Sequence, residues 1–534
     1  MTAEAPSRPL VTSAPEPGAW PALPDSLVAP LLRSAVVGLS PATVRTVAPF
    51  TGGHAATLPV STADDVAAAF AMARRAQRSW SQLPVKQRAR VLLRFHDLVL
   101  EQQASILDIA QVETGKARRD AYEELADCSL TSRYYGIAGP RMLADERVQG
   151  VFPVLTQTRL VHHPKGVVGI ISPWNYPISL AVTDALPALL AGNGVVLRPD
   201  LQTTVTALKL VSLLLEAGLP EGLLNVVIGD GPDLGPHVVE HSDYVMFTGS
   251  TRVGRIIAQQ CGERLIGCSL ELGGKNAVIV REDADLERSA EITERASFAN
   301  AGQLCIGTER ILVHESVVDE FVPLLVARLE ALKLVPSVGW GAGMGSLISA
   351  KQLEKVAAHV DDAVSKGAQV LTGGRPLPEV GPFYYAPTLL RGVTPEMDLC
   401  REETFGPVAS IYTFRTDDEA VAMANDTEYG LNGAVLTRDV RTGAAMARRI
   451  MTGTVNVNEA YGATWGSLGA PMGGMKASGL GRRHGEEGLL KYTEPQTISV
   501  QRLIGFGAPF GRTDEQWAGL MTTAFRSLKT LRVK

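Results

Sequence analysis

Four short apolar runs give the strongest structural signal in the sequence: GVVGIISPW (166–174), GNGVVLRPD (192–200), LLNVVIGDG (223–231) and DYVMFTGS (243–250). Stretches of helical composition separate these runs. Short apolar runs that alternate with helices are typical of parallel β-α-β units, whose strands are buried on both faces. Each predicted strand ends in Gly, Pro, Asp or Ser, at the edge of the sheet where ligands bind. The pattern predicts an α/β fold with a Rossmann-like, dinucleotide-binding sheet.

The sequence on both sides of these runs extends the α/β pattern. An amphipathic helix is predicted in the segment that begins at residue 61, with Ser61 or Thr62 as its cap, and helical sequence continues to about residue 143. A second strand–helix alternation runs from 274 to 487. Alternating residues at 152–163 and 491–502 predict two edge strands, which invite pairing with another chain.

Composition excludes several classes of protein. The chain has 534 residues, 20% of them charged, and a net charge of −5, whereas a nucleic-acid-binding protein needs a basic face. The sequence holds no apolar run of about 18 residues, so no membrane-spanning helix is expected. Residues 1–25 lack the pattern of a signal peptide and predict a flexible tail. The amphipathic segment 514–534 is expected to pack on the protein's own surface and not on a membrane.

Five cysteines occur at widely spaced positions and form no CxxC pair. A disulfide framework or zinc knuckle is therefore not expected, and a reducing cytoplasm fits this usage best. Free cysteines are usually small buried hydrophobic residues, and four of the five are expected to be of this kind.

Four motifs carry candidate chemistry, although each is weak evidence alone. ISPWNYP (171–177) presents Asn175, whose amide could stabilise an oxyanion beyond a strand end. FTGSTRVG (247–254) opens a helix, where Gly249 permits close approach of a phosphate to the amides near Ser250. LELGGKN (270–276) offers Glu271, and NAGQLC (300–305) offers Cys305. An isolated Asn, Glu or Cys is more often structural than catalytic.

Together the motifs resemble the aldehyde dehydrogenase superfamily from about residue 45 to about 503. The family's nucleophilic cysteine follows its general-base glutamate by 34 positions, the spacing of Glu271 and Cys305, and EETFGPV (402–408) and PMGGMKASGLGR (471–482) also look like family signatures. The resemblance implies that Cys305 is the nucleophile and Glu271 the base. It implies an oxyanion site formed by Asn175 and the backbone amide of Cys305.

The resemblance also implies a set of cofactor contacts: Trp174, Asn175, Arg198, Pro199, Asp200, Leu201, Gly249, Ser250, Leu272, Glu403 and Phe405. NAD-preferring relatives often carry Glu where this chain has Leu201, and that carboxylate repels a 2′-phosphate. Arg198 could pair with such a phosphate. NADP is therefore expected as the cofactor, with NAD possible if Asp200 reverses the balance.

Substrate identity is less constrained. The overall sequence looks most like an actinobacterial-type succinate-semialdehyde dehydrogenase subgroup, so succinate semialdehyde is the best single expectation. The two arginines with which better-studied relatives bind the substrate carboxylate match Thr183 and Ala299 here. An aromatic or aliphatic aldehyde is therefore the alternative, in a pocket bordered by Tyr461, Trp465 and Ser467. Asp184 stands where many relatives have a lysine that assists the base.

The resemblance implies the following organisation of the chain: a flexible extension at 1–44, a cofactor-binding domain at 45–143 and 165–273, a catalytic domain at 274–487, oligomerisation strands at 144–164 and 488–503, and a tail at 504–534. A homodimer, or a homotetramer, is expected to follow from the exposed strands.

Individual residues give partial support to three other functions. His237-Val-Val-Glu240-His241 fits the HxxEH spacing of some metal-dependent hydrolases, but solvated histidines on a surface helix explain it better, and no metal is expected. A thiol hydrolase would need a histidine base, and only His484 stands near a motif. Relatives that transfer the acyl group to coenzyme A usually lack the base, so Glu271 favours water as the acceptor.

Overall fold

The structure, a computed structural model, describes residues 22–151, 155–502 and 505–532. Over these ranges the chain forms a six-stranded sheet, a seven-stranded sheet, a three-stranded sheet and a two-stranded hairpin. The strands, in chain order, are β1 (Thr43–Ala48), β2 (Gly53–Pro59), β3 (Glu146–Gln149), β4 (Thr156–Pro164), β5 (Val167–Ile171), β6 (Gly194–Arg198), β7 (Leu224–Val226), β8 (Tyr244–Thr248), β9 (Gly267–Glu271), β10 (Asn276–Val280), β11 (Thr308–His314), β12 (Gln369–Thr372), β13 (Thr388–Arg391), β14 (Val408–Phe414), β15 (Asn432–Leu436), β16 (Thr454–Val457), β17 (Gly479–Leu480) and β18 (Thr493–Gln501).

Helices connect the strands and cover the sheets. They are α1 (Asp25–Leu31), α2 (Ala63–Gln82), α3 (Val85–Glu101), α4 (Gln103–Thr114), α5 (Arg118–Met142), α6 (Pro177–Val182), α7 (Ala185–Leu190), α8 (Thr204–Glu216), α9 (Gly231–His241), α10 (Thr251–Glu263), α11 (Leu286–Phe298), α12 (Val318–Glu330), α13 (Ala350–Ser365), α14 (Asp398–Arg401), α15 (Asp417–Asn425), α16 (Val440–Ala447), α17 (Gly462–Trp465), α18 (Gly485–Leu490) and α19 (Asp514–Thr530). Of the two residues considered as the cap of α2, Thr62 has this role, and it forms a capping box with Asp65.

The six-stranded sheet has the order β17-β9-β8-β5-β6-β7 and is parallel except for β17. The four apolar runs of the sequence form β5 to β8, and every residue of these strands is buried. Burial on both faces is what a parallel sheet covered by helices requires. The predicted α/β class with a Rossmann-like sheet is confirmed.

The seven-stranded sheet has the order β12-β13-β14-β11-β10-β15-β16, with only β12 antiparallel to its neighbour. Its core side chains lie in the later half of the chain, and include Val278, Phe298, Phe321 and Leu389. The loops that carry Cys305 and Glu403 lead into β11 and β14 of this sheet, and Glu271 precedes β10. The sequence predicts that the cofactor-binding domain ends at residue 273 and that later residues belong to the catalytic domain. The later strand β17 nevertheless pairs with β9 and belongs to the first sheet. Pairing covers the open edge of β9.

Two terminal segments differ from expectation. Residues 22–35 are not a flexible extension, because α1 buries Val28 and Leu31 in the core and Ala35 forms a bridge with Val226 of β7. Residues 1–21 lie outside the described residues. The helix α19 forms at the amphipathic segment, but the expectation that it packs on the protein's own surface is wrong, since none of its residues is buried.

The small sheet has the order β18-β4-β3. Its predicted strands are present, and β3 adds a third strand whose four residues are all exposed. Eight of the nine residues of β18 are exposed, and one edge of β18 is unpaired in the described chain. Across the described ranges, no helix is both long and apolar enough to cross a membrane.

Candidate active site

A cleft of about 690 Å³, solvent at its mouth included, opens between the carboxyl ends of β5, β8 and β9 and the loops that lead into β11 and β14. Nine of the predicted site residues line it: Trp174, Asn175, Gly249, Ser250, Glu271, Leu272, Cys305, Glu403 and Phe405. They come from five separate loops, so the fold brings together residues that lie more than 200 positions apart. We refer to this space as the cofactor cleft.

A second cleft of about 520 Å³ shares Asn175 and Cys305 with the first. Its walls are largely apolar and include Leu180, Leu304 and Met472, with the rings of Tyr461 and Trp465. Thr183 lines it, as expected for a position that faces substrate, whereas Ala299 and Ser467 do not. We refer to this space as the substrate cleft.

Cys305 lies in a loop that begins with three left-handed residues in succession. Asn300, Ala301 and Gly302 have φ values of 52°, 54° and 71°. At Gly302 a Cβ atom would lie 1.9 Å from the carbonyl oxygen of Gly406, so the turn requires glycine for space as well as for conformation. The tight turn directs Cys305 to the point where the two clefts meet.

The thiol of Cys305 is protonated at neutral pH in this environment. Burial raises its pKa to about 12, Arg483 and the N–H of Ile306 lower it, and Glu271 and Glu403 raise it. A nucleophilic role therefore requires a group that takes the thiol proton. Within the part of the chain that the structure describes, the main-chain N–H of Cys305 has no hydrogen-bond partner.

Asn175 is held by a buried ion pair that the sequence did not reveal. Lys116 pairs with Glu124, both side chains are fully buried, and Lys116 Nζ donates to the carbonyl oxygen of Asn175 (2.6 Å). The carboxylate of Glu124 accepts the N–H of Ile178 (2.8 Å) at the start of α6. The Asn175 amide donates one N–H to Gln303 O (3.0 Å), which leaves its second N–H for a ligand.

Glu271, the last residue of β9, is buried, and its Oε1 atom has no hydrogen-bond partner in the described chain. Burial raises the pKa of its carboxyl group to about 7, although Arg483 and Lys491 lower it. A pKa near neutrality is suited to a general base. An unpartnered, buried carboxylate oxygen beside a cleft is unusual and marks a functional group.

The loop 402–407 is held by another buried ion pair. Lys275 Nζ contacts Glu309 (2.5 Å), and Glu309 accepts the N–H groups of Thr404 and Phe405 (both 2.9 Å). These bonds support Phe405 in a left-handed conformation, with φ 57°. Phe405 then meets Trp174 edge-on, with ring centroids 5.5 Å apart.

Glu403 lies on the same loop and points into the cofactor cleft. Its Oε1 accepts the N–H of Gly274 (2.9 Å), and a Cβ on Gly273 would come within 2.5 Å of its Oε2. The absence of a side chain at Gly273 therefore leaves room for the Glu403 carboxylate. Burial, and then the charge of Glu309, raise the pKa of Glu403 to about 7.

Ser250 caps α10, and its Oγ accepts the N–H of Val253 (3.5 Å). The first turn of this helix therefore directs free N–H groups at the cofactor cleft, which favours an anion such as a phosphate. Gly249 leaves room beside the ring of Phe247, which a Cβ would approach to 2.5 Å.

The segment Arg198 to Leu201 does not line either cleft. Arg198 is buried and donates from Nε and Nη2 to Gly229 O (3.0 and 2.8 Å). Asp200 accepts the N–H of Gln202 (3.0 Å), and Leu201 packs against the core. Pro199 follows Arg198 directly after the end of β6. The Asp200 carboxylate is thus already engaged by the backbone.

The HxxEH segment forms the exposed end of α9. His237 Nδ1 lies 3.3 Å from Glu240 Oε2 and both side chains are exposed, while His241 contacts the ring of Phe70. In the described residues, no group of three or more His, Cys, Asp or Glu side chains is arranged to hold a metal ion.

Several residues at the site were not predicted from the sequence. They are Thr248, Lys355, Asp127, Arg483 and Lys491, together with the Lys116–Glu124 pair. The pair of arginines at 482–483 after the glycine-rich turn was the available signal, since adjacent cations beside a predicted base are unusual. For Lys116 the signal was its place in the polar run ETGKARRD (113–120).

Two mainly parallel sheets around a shared cleft with a thiol and a carboxylate place this chain among the α/β enzymes. Residues 37–498 match the family model described as "Aldehyde dehydrogenase family". The chain belongs to the aldehyde dehydrogenase family.

Individual relatives agree with this assignment. The sequence is 51% identical over 482 residues to a protein of Mycolicibacterium smegmatis named "Putative succinate-semialdehyde dehydrogenase (NADP+)", which covers 90% of this chain and 93% of the relative. A succinate-semialdehyde dehydrogenase structure from Burkholderia pseudomallei has 35% identity and a TM-score of 0.82, covering 86% and 95% of the two chains. An E. coli NADP dependent enzyme has 32% identity and a TM-score of 0.84, covering 89% and 99%.

Proposed function

We propose that the protein oxidises an aldehyde to a carboxylic acid through a thioester on Cys305, with NADP as hydride acceptor and succinate semialdehyde as substrate. The observation that carries the proposal is the grouping of three side chains in one cleft: Cys305 and Asn175, whose second N–H is uncommitted, line both clefts, and the Glu271 carboxylate lines the cofactor cleft with them.

Attack on the aldehyde is the first step. The sulfur of Cys305 bonds to the carbonyl carbon, and Glu271 takes the thiol proton, directly or through a water. The carbonyl oxygen becomes an alkoxide. The free N–H of Asn175 and the unpartnered N–H of Cys305 can both donate to it, and donors fixed before the reaction stabilise such charge most effectively.

Oxidation and hydrolysis follow. A bound nicotinamide dinucleotide supplies the hydride acceptor. When the carbonyl re-forms, the C–H bond breaks with loss of hydride and a thioester remains on Cys305. Glu271 gives up its proton to solvent and then removes one from a water, whose oxygen attacks the thioester. The C–S bond breaks and releases the acid.

The cofactor cleft fits a dinucleotide. Ser250 offers the amino end of α10 to phosphates, Glu403 offers a carboxylate to ribose hydroxyls, and Trp174 and Phe405 offer aromatic walls. NADP is favoured because Leu201 offers no carboxylate against a 2′-phosphate and Asp200 is engaged by Gln202 N–H. Arg198 keeps a positive charge beside Gly231, where an added Cβ would lie 3.6 Å from its guanidinium.

Succinate semialdehyde is supported by the name of the M. smegmatis relative and by that of the B. pseudomallei structure. The apolar walls of the substrate cleft support the second candidate, an aromatic or aliphatic aldehyde. The test measures kcat/KM for succinate semialdehyde, benzaldehyde and hexanal, each with NADP and with NAD. A higher value for benzaldehyde or hexanal would refute the substrate, and an absence of aldehyde-dependent NADPH formation would refute the reaction.

A homodimer, or a homotetramer built from such dimers, completes the proposal. The free edge of β18 and its exposed Ile498 and Val500 support pairing with another copy. A cytoplasmic location is supported by five cysteines that are all free. Light scattering of the purified protein tests the assembly, and a monomeric mass would contradict it.

A further inference from the structure

The side chain of Arg483 lies between the two clefts. Its Nη2 donates to Thr248 Oγ1 (2.6 Å), and Thr248 lines the cofactor cleft. Arg483 itself lines the substrate cleft together with Cys305. Only 13% of the side chain is exposed, and its Nη1 has no hydrogen-bond partner among the described residues. A buried guanidinium with an uncommitted N–H group next to the reacting atoms has to be explained.

Asp184 anchors this guanidinium. The Asp184 carboxylate is almost fully buried and accepts from Arg483 Nε (3.0 Å) and Nη2 (2.6 Å). It also contacts Lys491 Nζ (3.5 Å) and the hydroxyl of Tyr492 (3.4 Å). Arg483 and Lys491, two cations, share the single carboxylate of Asp184. These three groups together therefore carry a net positive charge, which can stabilise a neighbouring anion.

The charged and titratable groups around Arg483 come from several elements. They are Asp127 of α5, Asp184 before α7, Glu271 of β9, Cys305, Arg482 and His484 on either side of Arg483, and Lys491 and Tyr492 after α18. The anions nearest the reaction are Glu271 and, after loss of its proton, Cys305.

We propose that Arg483, fixed by Asp184, is a positioning residue that stabilises the anionic forms of Cys305 and Glu271. The proposal deepens the proposed function, because it concerns the same thiol and base. The charge of Arg483 lowers the pKa of Cys305 and is the largest influence that lowers the pKa of Glu271. One cation can serve both groups because they are charged at different stages: the thiolate during attack, the carboxylate before hydrolysis.

A competing role would be direct binding of a substrate carboxylate. Among the described residues Arg483 is the one lysine or arginine that lines the substrate cleft. The two roles differ in what they predict. The effect of the Arg483 charge on Cys305 is present without any substrate and influences the reaction of every aldehyde. A carboxylate-binding role would influence only substrates that carry a carboxylate.

The decisive experiment measures alkylation of Cys305 by iodoacetamide from pH 6 to pH 11 without cofactor, with mass spectrometry to identify the modified cysteine. We compare the wild type with R483Q, R483K, D184N and the adjacent control R482Q. Arg482 lines neither cleft and donates to Gly474 O and Gly481 O. It lowers the pKa of Glu271 but is not among the groups that shift the pKa of Cys305, so R482Q is a control for the thiol. In R483Q, Asp184 keeps Lys491 and Tyr492 as partners, so the buried carboxylate is not left alone.

R483Q is expected to slow alkylation about tenfold at each pH from 6 to 11, since a pKa one unit higher lowers the thiolate fraction about tenfold and only the thiolate reacts. R483K should stay within about threefold of the wild type and R482Q should match it. D184N removes an anion and keeps the guanidinium, so it should not slow alkylation. Wild-type alkylation in R483Q, or equal slowing in D184N and R483Q, would overturn the proposal.

Steady-state kinetics separate the competing role. R483Q should lower kcat/KM by a similar factor for succinate semialdehyde and for butanal, which has the same chain length and no carboxylate. A rise in KM confined to succinate semialdehyde, with butanal unaffected, would assign Arg483 to the substrate and refute the proposal. A wild type without dehydrogenase activity would refute the proposed function instead, and the alkylation profiles would still test Arg483.

Discussion

The side-chain amide of Asn276 donates to the carbonyl oxygen of Cys305 over 2.8 Å. The same Nδ2 donates to Gly307 O (2.8 Å), and Oδ1 accepts the N–H of Asn432 (2.9 Å). Asn276 is the first residue of β10, so the loop that carries the thiol is tied to the seven-stranded sheet by a side chain and not only by its own backbone. The position of Cys305 thus depends on an amide five residues after Glu271.

We expect N276D to impair this arrangement strongly. The change replaces a donor by an acceptor that faces two carbonyl oxygens, and a buried unsatisfied polar group costs about 1–3 kcal/mol. The predicted result is a kcat at least about tenfold lower and a lower melting temperature, measured by NADPH formation and thermal unfolding. A variant with wild-type kcat would show that the loop holds its position without this bond.

Replacing Cys305 by alanine should abolish aldehyde-dependent NADPH formation. The thiol is the proposed bonding partner of the carbonyl carbon, and no other cysteine lines either cleft in the described chain. Rates are compared with those of C400A, since Cys400 is partly exposed and lies outside both clefts. C400A should match the wild type, and residual activity in C305A above one per cent would contradict covalent catalysis.

The pH dependence of turnover should report Glu271. Its pKa is raised to about 7, and the base acts only in the deprotonated form, so hydrolysis should slow about tenfold per pH unit below about 7 and level off above it. In E271Q this limb should disappear, and both the first burst of NADPH and steady-state turnover should slow, because glutamine takes a proton neither from the thiol nor from water. Stopped-flow fluorescence measures the burst, and a burst at the wild-type rate would mean that Glu271 acts only in hydrolysis.

The sequence was sufficient for the fold class, which depends on local patterns, and the family resemblance predicted nine of the residues that line the cofactor cleft. The four apolar runs are strands in any arrangement that buries them, and the motifs place Glu271 and Cys305 at loop positions. What local patterns cannot show is which charges meet. Arg483 and Asp184 lie 299 positions apart, and Lys116 reaches Asn175 across 59 positions.

The predictions for the two terminal segments were wrong for a related reason. A helix pattern such as that of α19 shows an apolar face, but it does not show whether a partner surface exists. In the same way, the Ala- and Pro-rich start of the chain concealed Val28 and Leu31 of α1, a helix that packs against α8.

Cofactor preference should respond to residue 201. In L201E a carboxylate would stand where none exists now, next to the proposed position of the 2′-phosphate. We expect the ratio of kcat/KM for NADP over NAD to fall at least about tenfold, which corresponds to about 1.4 kcal/mol. L201Q, which has a similar size and no charge, is the matched control. An equal fall in both variants would point to shape and not to charge, and an unchanged ratio would place the phosphate elsewhere.

Gly302 should be far more sensitive to substitution than another glycine of similar conformation. Gly302 and Gly392 have φ values of 71° and 77°, so alanine is strained at both. At Gly392 nothing lies within 4 Å of an added Cβ, whereas at Gly302 the Cβ would lie 1.9 Å from Gly406 O, a backbone atom of the loop that carries Phe405.

G392A should therefore lose about 1–2 kcal/mol, the strain of the left-handed conformation alone. G302A should lose several kcal/mol and most of its activity, because relief of the overlap must move the Cys305 loop or the loop 402–407. Urea unfolding and kcat measure the two effects. If both variants unfolded at the same urea concentration, the close approach of the two loops would not contribute to stability. The hydrogen bonds of Asn276 alone would then hold the thiol in position.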